Sequence, residues 1–221
     1  MRNMNVFKSE LDKCDELIDQ IPKEGSNKDS LFYGYIISLI QLAKDMDFLS
    51  ENNRIQSFVL ISRAFIETYL DIKLMVEIDG YEKKLILDSY KKESKSLDQI
   101  LESKDLPIED RVPLKGKKDQ LKSYIEMMSR HDVPQVNTIK DKFEKLNMEP
   151  EYHFLYSLLS SFSHNDIQKI LENHFDVHPD KVVLNRSSRP KDHHISMIMP
   201  YLEVFMNDAR RVLEKKCSDL E

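Results

Sequence analysis

Arginine, glutamate and histidine set beside hydroxyls are the residues of this chain best suited to chemistry on a phosphate. Arg63 and Glu67 lie one helical turn apart, and farther along Tyr156, Ser160 and His164 recur at four-residue spacing on one face of a second segment. An arginine binds phosphate and stabilises charge developing on it, while a histidine moves protons near neutral pH. With hydroxyls to position them, these residues suit cleavage of an RNA phosphodiester. The same residue types also make a structural network, because an arginine and a glutamate on apolar helices need each other and further hydrogen bonds to offset desolvation. Both readings follow from the residues.

A basic segment forms a second candidate. Arg189 and His194 have the spacing R-x4-H, and Arg186 and His193 the spacing R-x6-H, with Lys191 between. The segment suits a ribonuclease motif, and equally a solvated loop that caps the last helix and grips a phosphate. His174 and His178 near Asp176 and Asp180 sit in an alternating pattern that reads as a hairpin, so no metal site is expected there. The chain has no phosphate-binding glycine loop, HExxH, GxSxG or EF-hand pattern, and with Gly 4 in all, no cofactor is expected.

The elements that must position these residues are helical. Residues 51–79 are apolar almost all round, which is the mark of a central helix. Arg63 and Glu67 lie on one apolar side, Phe58, Phe65, Tyr69 and Ile72 on the other, with Ser62, Asp71 and Lys73 in narrow polar seams. Apolar stripes over 30–48, 151–164 and 195–215 predict helices that pack around it, with Asp29 or Ser30 capping the first of them and Pro200 kinking the last near Ser196, and a stripe over 4–21 predicts a helix that lies across the domain. Residues 81–103 read as a polar helix with a solvated charged face. Residues 103–118, with Pro107, Pro113 and Gly116, read as a mobile loop, and Thr138 as the cap of a short helix. On a helical wheel Leu155, Leu158, Leu159 and Phe162 share a packing side, and Tyr152, His153, Tyr156, Ser160 and His164 a polar one. Phe175, Val177, Val182 and Val183 predict a small β-hairpin near 174–185. The fold class is all-α, a helical bundle around the central helix.

Composition bounds the rest. The 221 residues suit one domain, with an N-terminal helix and linker over 1–28 and a core over 29–217. A charged fraction of 33% with no tryptophan fits a helical protein, and a net charge of −6 argues against a broad footprint on duplex nucleic acid. Cys14 and Cys217 suggest no disulfide framework, which fits a reducing cytoplasm. Neither a signal peptide nor a membrane span is expected.

The stretches R-A-F-I-E-T-Y-L (63–70) and Y-S-L-L-S-S-F-S-H-N-D (156–166) resemble an uncharacterised bacterial family of helical proteins, in which an Arg-x3-Glu helix precedes a Tyr-x2-Leu-Ser-x3-His segment. More loosely the chain resembles the HEPN superfamily over residues 30–215. That resemblance implies a compact helical bundle that forms a homodimer, and active members cleave RNA with an Arg-Asn/His/Asp-x3-His motif. His164 would be the motif histidine and Ser160 its polar position, but Leu159 stands where the arginine would be. The charge would then come from Arg63 or from the segment 186–194. On this reading the protein acts on or binds RNA in a toxin or phage-defence setting, and is a ribonuclease if it is an enzyme. His164, Arg63 and Glu67 would be catalytic, and Tyr156, Ser160, Asn165, Arg186, Arg189, His193 and His194 would bind. The alternative is a non-catalytic helical module that docks a protein partner and uses its Arg/Glu/His network structurally.

Overall fold

The computed structural model describes residues 2–21, 26–103, 105, 107–156, 158–160, 175–178, 180–184 and 193–219. The chain divides into two compact units, Met1–Leu74 with Asn137–Glu221, and Met75–Val136.

The first unit is built on α3 (Ile55–Glu77) up to Leu74. Phe58, Val59, Phe65, Ile66, Leu70, Ile72 and Leu74 are all fully buried. These residues go round the helix, so neighbours must cover it on several sides, as its apolar periodicity implies. Leu60 and Val76 depart from that pattern and stand 42% and 49% exposed. Residue 51 closes the preceding helix α2 (Asn27–Glu51) instead of opening α3. The reason is the turn between them: Asn53 adopts φ 53, a left-handed conformation that asparagine tolerates, and the Asn52 side chain donates to the Phe48 carbonyl at 2.8 Å. At the other end Ser26, rather than Asp29 or Ser30, caps α2. Its hydroxyl accepts from the Asp29 amide at 3.1 Å, and the Asp29 carboxylate favours the positive end of the helix.

Around α3 the first unit places α1 (Arg2–Ile18), α6 (Ile139–Lys145), α7 (Glu149–Glu151) and α8 (His193–Ser218). On α1, Phe7, Leu11 and Cys14 are buried at helical spacing, and the helix packs along α8. Arg210 of α8 donates to Glu10 of α1 at 2.6 Å, while Lys8 pairs with Asp47 at 2.9 Å and Lys44 with Asp15 at 2.7 Å on the α2 side. Thr138 caps α6 as expected, in a reciprocal box with Asp141. The hairpin is present: β1 (Phe175–Val177) pairs antiparallel with β2 (Val182–Leu184), Asp176 opposite Val183, and His178 and Lys181 close the turn. Pro200 lies inside α8 on its exposed side, and it offers no amide hydrogen to the Ser196 carbonyl one turn back.

The second unit contains α4 (Tyr81–Glu102) and α5 (Ile108–Met128), which pack on each other. From Ile108 on, the stretch expected to be a mobile loop is the start of α5, with Pro113 inside the helix. Several local interactions offset the amide bond that proline removes. Glu109 and Asp110 sit in the first turn, at the positive end of the helix. Arg111 donates to the Leu101 and Ser103 carbonyls at 3.3 and 2.8 Å, satisfying the open end of α4. Lys117 pairs with Glu93 at 2.5 Å, Lys118 pairs with Asp98, and Tyr90 stacks on Tyr124 with centroids 5.7 Å apart. The charged run after Gly80 is only partly solvated. Glu82 and Lys84 are buried, and Lys84 pairs with Asp88 one turn on. Among the described residues no helix is long and apolar enough to cross a membrane.

Candidate functional site

Arg63, Glu67 and Tyr156 meet in a closed triangle. The i,i+4 geometry of α3 brings Arg63 Nε to 3.0 Å from Glu67 Oε1. Tyr156 arrives from 93 residues away: its hydroxyl accepts from Arg63 Nη2 at 2.5 Å. It donates in turn to the same Glu67 oxygen at 3.0 Å. Each group plays the only part its chemistry allows, since a guanidinium only donates, a carboxylate only accepts and a phenol does both. The guanidinium carbon also stands 4.8 Å from the centroid of the Tyr156 ring, within range of cation–π attraction.

A π-helical turn positions the tyrosine. α7 runs into Tyr152–Tyr156, which winds more widely than an α-helix. A wheel drawn at the α-helical angle places Tyr156 on the polar side with His153, whereas in the structure Tyr156 is buried with Leu155 and Leu159, and His153 is exposed. The rings pack closely there: Tyr152 stacks on Tyr156 with centroids 5.7 Å apart and planes 16° from parallel, and the edge of Phe143 from α6 meets Tyr156 at 6.1 Å.

The triangle is less enclosed than the sequence suggests, because the Arg63 and Glu67 side chains keep 29% and 40% of their exposure. Burial still tells on the charges. It pushes the Tyr156 phenol above its usual range, and the Glu67 carboxylate adds to the effect. Burial weighs against the Arg63 charge too, but the bonds to Glu67 and Tyr156 overcome it and hold the guanidinium more firmly protonated. Leu159 is completely buried. Ser160, one turn beyond Tyr156, is half-buried. His164, Asn165, Arg186 and Arg189 lie outside the described residues. His193 and His194 begin α8, and their side chains lie outside the described set as well.

Sequence reasoning placed Asp71 and Lys73 in a polar seam of α3 but missed the residues that pair with them. Asp71, almost buried, accepts from Lys142 of α6 at 2.6 Å. Lys73 pairs with Asp208 of α8 at 3.0 Å, and the Tyr69 hydroxyl donates to the same carboxylate at 2.8 Å. Burial, helped by the charge of Asp71, pushes the Tyr35 phenol on α2 up to about 12. Asp71 and Lys73 were visible as polar residues on an apolar helix, but nothing local marks Lys142 or Asp208 as their partners. Among the described residues no cluster of histidine, cysteine and carboxylate side chains is arranged to hold a metal ion.

No curated protein and no solved structure matches the chain. A family model does, over residues 29–182, a span that includes Arg63, Glu67 and Tyr156 and leaves out α1 and α8. The chain therefore belongs to DUF5677, a family of unknown function.

Proposed function

We propose that the chain is a HEPN-like protein that acts on RNA, with Arg63 as its phosphate contact. The observation that carries this reading is the held but accessible arginine. Glu67 and Tyr156 fix the plane of the guanidinium while 29% of the side chain stays open to solvent. A planar fork held in place loses little further freedom on meeting a phosphate. The resemblance of 156–166 to the HEPN motif supplies the rest: His164 moves the proton, and Arg63 stabilises charge on the phosphate in place of the arginine that Leu159 replaces. As in that superfamily, the working form is a cytoplasmic homodimer in a toxin or phage-defence setting.

The complete burial of Leu159 favours a second reading, a non-catalytic module that binds a protein partner, in which the triangle only joins α3 to the π turn. One set of proteins separates the two. Wild type, Arg63→Gln and His164→Ala are induced in cells while growth and RNA integrity are followed, and each purified protein is melted and titrated with a labelled RNA oligonucleotide. RNA binding or cleavage by wild type, lost in Arg63→Gln without a matching fall in the melt, supports the RNA reading. Wild type that neither binds nor cuts RNA, with Arg63→Gln melting early, establishes the structural one.

A further inference from the structure

We draw no further inference here: the strongest candidate, the exposed apolar face that Met197, Tyr201 and Val204 of α8 form beside Phe154 of the π turn, carries nothing because the structure does not show what covers it.

Discussion

The Tyr156 hydroxyl lies 3.0 Å from Glu67 across 89 residues of sequence, and it joins the π turn to α3. Tyr156→Phe removes that bond and the one from Arg63 but leaves the ring in its stack. Urea unfolding should show a loss of about 2 kcal/mol, because both lost bonds run to charged groups, and partial solvation keeps the loss at the low end of what two such bonds are worth. The phenol has a second signature. Its pKa is raised in the folded state above the ordinary 10.0, so the stability it confers is fully present below that pH and is lost as pH rises through the folded value. Tyr156→Phe should lose stability less steeply than wild type above about pH 10. Equal slopes for the two proteins would mean that the phenol is not held as described.

Glu67 and Asp71 sit one turn apart on α3, yet their substitution should cost very different amounts. The Arg63–Glu67 pair is partly solvated, and water screens what remains when one partner goes. Glu67→Ala should cost about 1 kcal/mol. The Asp71 and Lys142 side chains keep only 11% and 19% exposure, so Asp71→Ala leaves a poorly solvated ammonium and should cost about 3 kcal/mol. Chemical denaturation of both variants in one buffer tests the order. A larger loss at Glu67 would reverse this account of where the polar centre of the bundle lies.

Among the described residues, Glu203 on α8 has one carboxylate oxygen buried without a hydrogen-bond partner, and burial raises its pKa above 4.5. An acid whose folded pKa is raised favours the folded state when protonated. Its contribution is present at pH below the unfolded value and lost as pH rises through the folded one. Near neutral pH the charged form therefore opposes folding. Glu203→Gln should raise the melting temperature at pH 7 and leave the melt at pH 4 nearly unchanged. A lower melt for the glutamine variant at pH 7 would show that the carboxylate is satisfied in solution.

The folding unit should be longer than the family match. α8 lays Phe205 flat on Tyr69, with centroids 4.5 Å apart, and α1 sets Phe7 6.0 Å from Phe65, so both helices outside residues 29–182 cover α3. A fragment of residues 29–182 would expose those faces to water. It should show no cooperative thermal transition by circular dichroism, where the full chain shows one. A sharp melt for the fragment would mean that the terminal helices are accessory.

Much of the bundle was legible because its signals are local. The apolar surface of 58–74, the stripe of 195–215, the Thr138 cap and the alternation around 175–184 each depend on residues a few positions apart. The errors arose where a distant partner or a change of helical period decided the outcome. Pro113 is a good loop signal until Arg111 is seen bonded to the end of α4. Lys84 looks like a surface lysine until the packing at the start of its helix buries it. At the site, Arg63 and Glu67 were legible as a pair from their spacing, and Tyr156 was placed among their candidate partners from its neighbours. Its place beside the packing residues Leu155 and Leu159 was not foreseen, because nothing in 152–156 marks a turn wider than α.

That wider turn makes the site sensitive to chain length. An α-helix advances about 100° per residue, so deleting one residue between Tyr152 and Tyr156 would restore an ordinary period and swing the chain beyond it by roughly that angle. The phenol would leave Glu67, and a neighbour of different chemistry would meet Arg63. Loss of a single codon here would thus exchange the third member of the triangle while Arg63 and Glu67 kept their pairing on α3.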